Sequence, residues 1–76
     1  MHAYNKSKTE ESLSQQIQRA ALYKILRRRY DEKTVAEKLG VTLIDAKALL
    51  KLEDWPLRTA IRVAEALGLR IQIKFF

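Results

Sequence analysis

Nine residues restrict this chain more than any others: TVAEKLGVT, from Thr34 to Thr42. Two helices that cross at about 90–120° through a three- or four-residue turn leave little room where they pass. The first must carry a small residue at the crossing, and Ala36 is that residue. Four positions on, Gly40 supplies the positive φ that a sharp turn needs and that a Cβ opposes. Val35, Leu39, Val41, Ala46 and Leu49 are spaced to give one inward apolar face on both sides of the turn. Asp31 is placed to cap the first helix, Glu32 to Leu39, and Thr42 to cap the second, Leu43 to Leu52. Together these residues describe a helix-turn-helix.

The flanking segments extend the helical pattern. Residues 1–8, MHAYNKSK, are polar and aperiodic and are expected to form a flexible basic arm. Ser7-Lys8-Thr9-Glu10 and Ser12-Leu13-Ser14-Gln15 both match a capping box, which leaves the helix start open by about one turn. Leu13, Ile17, Ala21 and Ile25 recur at i, i+4, and Leu22 and Leu26 widen the same face. Arg27, Arg28 and Arg29 close that helix, where cations suit the negative end of the helix dipole and could equally meet phosphates. After the third helix, Glu53-Asp54 break the pattern. Pro56 suits the first turn of a fourth helix, where its missing N–H costs no bond. Leu57, Ala60, Ile61, Ala64 and Leu67 form that helix's apolar stripe, and Gly68 is its stop. The tail LRIQIKFF then changes period: Leu69, Ile71, Ile73 and Phe75 alternate with Arg70, Gln72, Lys74 and Phe76, the pattern of a half-buried strand. The expected architecture is mainly α. It is a small four-helix bundle over residues 9–68, preceded by the arm 1–8 and followed by a C-terminal β-strand, 69–76.

Composition excludes several function classes. A chain of 76 residues has room for one small domain, and 47% apolar residues can supply its core. There is no cysteine, and His2 is the single histidine. A thiolate metal site, a disulfide and a histidine-assisted nucleophile therefore lack their parts, and neither cofactor nor enzyme activity is expected. The acidic pairs Glu10-Glu11, Asp31-Glu32 and Glu53-Asp54 fall in turn or solvent contexts. No apolar run approaches the roughly 18 residues of a membrane span, and no signal-peptide pattern is present, so a cytoplasmic protein is expected.

The net charge of +6 and the pI of about 9.9 fit a polyanionic partner, nucleic acid first. The charge is uneven. Residues 1–30 carry seven Lys/Arg against two Glu, residues 31–53 four Lys against five acids, and residues 54–76 four Lys/Arg against two acids. The helix-turn-helix is nearly neutral, and most of the positive charge precedes it.

TVAEKLGVT resembles the second helix and turn of the Cro and lambda-repressor (XRE) type of helix-turn-helix family. WPLRTAIRVAEALGLRIQI resembles the helix that follows it, with the extension found in small repressors and HigA-like antitoxins. The resemblance spans about residues 22–74. It is most specific in RVAEALGL, whereas the first helix matches only in apolar spacing. The resemblance implies a helical bundle that binds a palindromic double-stranded DNA operator, commonly as a homodimer, with a toxin as a further partner in the antitoxin case. The family's contact positions, at the start of its second helix and on the exposed face of its third, fall here on Glu32, Thr42, Leu43, Ile44, Lys47, Ala48 and Lys51. Thr42, Lys47 and Lys51 suit phosphates or base edges. Glu32 departs, since the family often has a glutamine there and a carboxylate repels phosphate. Leu43 and Ile44 depart too: they can touch thymine methyl groups or bury against a protein. Lys33, Arg28, Lys6 and Lys8 are further candidate phosphate contacts.

Two aspects of the sequence bear on assembly. A strand added to a helical bundle leaves backbone groups unpaired, and an edge bearing apolar side chains is sticky. The tail can pair with residues 2–5 of its own chain or, antiparallel about a two-fold axis, with the tail of a second copy. The second arrangement makes Leu69, Ile71, Ile73, Phe75 and Phe76 a dimer interface. It also supplies two reading helices about one duplex turn apart, roughly 34 Å. Trp55, beside Pro56 and Leu57, reads as a core plug rather than a base-stacking ring. Tyr4, Tyr23 and Tyr30 read as packing residues with one wet edge. Three functions follow in order: a dimeric sequence-specific repressor with helix 43–52 in the major groove; a protein-interaction module that keeps the frame without reading bases; and a non-specific nucleic-acid packer.

Overall fold

The computed structural model describes the backbone of residues 5–71 and the side chains of residues 13–71. Among the described residues there are four helices: α1 (Asn5–Arg28), α2 (Glu32–Leu39), α3 (Leu43–Lys51) and α4 (Leu57–Ala66). Helix α1 begins at Asn5, so residues 5–8, expected in a flexible arm, are its first turn. Either capping box inside it is bypassed. Lys and Glu are good helix formers, and once the Ile17 face is packed the helix propagates backwards at little cost.

The core lies between α1 and α4. Ile17 and Ala21 from α1 meet Ala60, Val63 and Ala64 from α4 and Leu67 just beyond it, with Trp55 closing the end. Alanines at Ala21, Ala60 and Ala64 bring the two backbones close. Leu13, Ile25, Leu57 and Ile61 line the margins. Leu22 and Leu26 do not join this core; Leu26 is 74% exposed. A single helix, α4, covers α1, and one partner covers a narrower stripe than the expected face. A second seam joins α2 to α3, where Val35, Ala36 and Ala46 are buried at the crossing. Val41, expected inward, stays 42% exposed just outside that crossing.

Three helix ends share one geometry. After α2, Gly40 (φ 70°) donates to the Glu37 carbonyl at 3.2 Å and Val41 N–H to Ala36 at 3.0 Å. After α4, Gly68 (φ 82°) donates to Glu65 and Leu69 to Ala64, both at 2.9 Å. These are Schellman ends, in which a left-handed residue turns the chain and satisfies late carbonyls. The end of α1 has the same pair, Arg29 N–H to Leu26 and Tyr30 N–H to Ile25, with an arginine in the left-handed place at φ 54°.

Beyond Gly68 the chain packs back on its own core through Leu69 and Ile71, both half-buried. No strand occurs among the described residues. Residues 72–76, the larger part of the expected strand, and residues 1–4 lie outside the described residues.

Candidate nucleic-acid interface

Both helices of the central unit start on side-chain caps. The Asp31 carboxylate accepts from Thr34 N–H at 2.7 Å, and the Thr42 hydroxyl oxygen accepts from Asp45 N–H at 3.1 Å. Each satisfies one of the otherwise orphaned first-turn donors. The Thr34 side chain, then its N–H, then the nearby Lys33 charge hold the Asp31 carboxyl below its ordinary value. Hydrogen bonds to the charged form are the dominant cause.

Three tethers fix α3 on the body. Ala46 is buried against α2, and Leu49 and Leu50 pack on the main core. Trp55 Nε1 donates to the Leu49 carbonyl at 2.9 Å, satisfying one of the last carbonyls of α3. Trp55 is 2% exposed and so acts as the core plug expected of it. Its backbone N–H donates to Gln18 Oε1 at 2.7 Å, while Gln18 Nε2 donates to Glu53 O at 3.0 Å and reaches Leu52 O at 3.5 Å. A single buried amide on α1 thus holds the whole α3–α4 connection. Gln18 escapes sequence reading, because a glutamine beside Ile17 looks like the polar margin of a stripe.

The opposite side of α3 faces solvent. Thr42, Leu43, Ile44, Lys47, Ala48 and Lys51 are all exposed. They form one continuous surface, with Ile44 78% and Leu43 41% exposed. Of the candidate phosphate contacts, Lys33 and Arg28 are exposed. Lys6 and Lys8 fall in the first turns of α1, and their side chains are outside the described residues. Of the candidate dimer residues, Leu69 and Ile71 are packed on their own chain, and Ile73, Phe75 and Phe76 lie beyond the described residues.

Glu32, the departure at the start of α2, has a partner on α3: its Oε1 lies 4.0 Å from Lys47 Nζ, with both side chains about half exposed. At that distance and exposure the pair adds little stability, but it lowers the positive potential of Lys47. Lys51 has no carboxylate within ion-pair distance among the described residues. Tyr30 packs on the core with Lys38 Nζ 4.8 Å from its ring centre, and Tyr23 stands outside, its hydroxyl taking a 3.3 Å bond from Arg27. Among the described residues no helix is long and apolar enough to cross a membrane.

No family model, curated protein or solved structure matches this chain.

Proposed function

We propose that this protein binds double-stranded DNA through α3, as a homodimeric sequence-specific repressor. The observation that carries the reading is the division of α3 into two sides. Ala46, Leu49 and Leu50 anchor it, and Thr42, Leu43, Ile44, Lys47, Ala48 and Lys51 stand clear of the body. A helix held at a crossing by its inner face, with its outer face free, can enter a major groove about 12 Å wide. Lys47 and Lys51, one turn apart, would take phosphates or guanine acceptors. Leu43 and Ile44 would lie against thymine methyl groups. Thr42 would approach the backbone at the helix N-terminus. Pairing of the alternating tail, Leu69 to Phe76, between two copies is the proposed route to a second half-site.

A second reading rests on a different observation. Val41, Leu43 and Ile44 are exposed together beside the turn. Such an apolar patch suits a protein partner, a toxin in the antitoxin case, and would make the unit an interaction module without base reading.

Anisotropy titration of random duplex DNA at several salt concentrations tests the first reading. Wild type should lose affinity steeply with salt, and Lys47→Ala/Lys51→Ala should flatten the slope of log K against log salt by about two units. Selection of a palindromic operator is then the next step. Wild type that ignores duplex DNA at low salt, or a double variant that matches it, shifts the reading to the interaction module. In that case Leu43→Gln/Ile44→Gln should abolish binding of the protein partner.

A further inference from the structure

A cluster of cations stands on the body, apart from the helix-turn-helix. Ala20, Tyr23, Lys24, Arg27 and Arg28 of α1 and Leu69 beyond α4 line an open pocket of 300 Å³. That volume is at the low end of the range small ligands occupy. No described carboxylate lines the pocket. Among the described residues none of its cations makes an ion pair. The wider groove along Leu22 and Leu26 differs: Arg19, Glu53 and Asp54 all wall it, so it offers a ligand no single sign of charge.

Two of the pocket's cations are held in place. Arg27 donates to the Tyr23 hydroxyl at 3.3 Å, and its guanidinium lies 5.7 Å from the centre of that ring. Lys24 Nζ stands 3.5 Å from where a Cβ on Gly68 would be, beside the chain leaving α4. The negative end of the α4 dipole favours a cation there. Arg28 is exposed, about one turn beyond Lys24. The rest of the wall is apolar: the Ala20 methyl, Leu69 and the Tyr23 ring. At roughly 1.5 Å per residue, Ala20 and Arg28 are about 12 Å apart along α1. The pocket therefore has an apolar end near Ala20 and a cationic end at Arg27 and Arg28.

We propose that this pocket binds a nucleoside monophosphate, with its base against Ala20, Tyr23 and Leu69 and its phosphate between Arg27 and Arg28. Charge and shape select that chemistry. Lys24, Arg27 and Arg28 together exceed what one carboxylate can balance, whereas a phosphomonoester carries a charge of about −1.5 to −2 near neutral pH. Arginines also match phosphate oxygens with paired N–H donors. An apolar end about 12 Å from the last cation calls for a ligand whose apolar body is set apart from its charge, and inorganic phosphate has no such body. A flat base joined to its phosphate through a sugar has that shape, and Lys24, midway, donates to the sugar–phosphate linkage. The nucleotide is either free or the phosphorylated end of a single strand. The pocket shares no residue with the exposed side of α3, so it is a site in its own right.

The test is equilibrium dialysis of the full chain, without duplex DNA, against the ribonucleoside 5′-monophosphates in turn, with the matching nucleoside and inorganic phosphate alongside. A monophosphate should bind about tenfold or more tightly than either fragment, since each fragment leaves one end of the pocket empty. Two variants at exposed positions of α1 probe the two ends. Arg28→Ala removes a cation, and Ala20→Leu fills the apolar end without changing the charge. Each should weaken binding about tenfold or more, with circular dichroism confirming that helix content is kept. Lys47→Ala/Lys51→Ala should bind as wild type does, which separates this site from α3. Failure of every monophosphate to bind at millimolar concentration overturns the proposal. Inorganic phosphate that binds as tightly, an Ala20→Leu chain that binds unchanged, or a loss in the α3 double variant overturns it as well. A short single strand with a 5′-phosphate then separates the two sources. If it binds more tightly than both the monophosphate and the same strand without that phosphate, the ligand is a strand end; if not, it is the free nucleotide.

Discussion

Gln18 uses one amide for three purposes: it accepts from Trp55 N–H and donates to the carbonyls of Glu53 and Leu52. Truncation would leave the buried Trp55 N–H without a partner, which costs about 1–3 kcal/mol. Gln18→Ala is therefore expected to lower the unfolding free energy by that amount, seen as a lower urea midpoint with an unchanged dependence on denaturant. Substituting Gln16, an exposed neighbour, is expected to change almost nothing. Arg29 makes the opposite case. It holds a left-handed φ of 54° that an L side chain adopts only at a cost. Arg29→Gly keeps the Schellman bonds and relieves that strain, so it should raise stability by about 0.5–1 kcal/mol in the same urea series. Neither residue announces itself in the sequence. A polar side chain declares its burial only once its partners, thirty-odd residues away, are in place. An arginine at the end of a basic run looks like a dipole partner rather than a turn residue.

At the scale of elements, local chemistry was legible and tertiary width was not. Asp31, Gly40, Thr42, Pro56 and Gly68 mark helix ends because each acts on backbone groups within four residues of itself. Structure and sequence agree at Asp31, Gly40, Thr42 and Gly68, whereas Pro56, expected in the first turn of α4, stands one residue before it as the N-cap. Spacing assigns Leu22, Leu26 and Val41 to the core because it gives the direction of a face, while the breadth of that face depends on how many neighbours cover it. The start of α1 at Asn5 is not legible in the sequence for a related reason: packing on α4 sustains a helix beyond its own caps. The Asp31 cap also has a pH signature. Its carboxyl titrates below the ordinary value because Thr34 bonds favour the charged form. Its folded pKa is thus lower than its unfolded one. Its contribution is present above the unfolded pKa and is lost as pH falls through the folded one. An acid titration followed by the Asp31 side-chain carbonyl resonance should show a midpoint below that of an unfolded peptide, and Asp31→Asn should remove this part of the acid sensitivity of α2.

For the whole molecule, charge and anatomy point in different directions. The excess of positive charge belongs to residues 1–30, most of them in α1, whereas the exposed face of α3 carries two lysines, one of them beside Glu32. A single copy therefore has few cations to set against a groove. The proposed function accordingly predicts that binding is sensitive to the separation of two half-sites. Affinity for a selected operator should collapse when five base pairs are inserted at its centre, which puts the halves on opposite faces, and recover in part with about ten, one full turn. Electrophoretic mobility on such a spacer series reads this directly, and indifference to spacing would mean that copies bind singly. The join between α3 and the rest carries its own optical signal. The chain has one tryptophan, and it is bonded to α1 through its backbone and to the last turn of α3 through its ring. Its emission therefore comes from a single environment, with no second indole to dilute it. A shift to longer wavelength would register the release of α3 from the body, and an unshifted spectrum would mean that α3 is still seated.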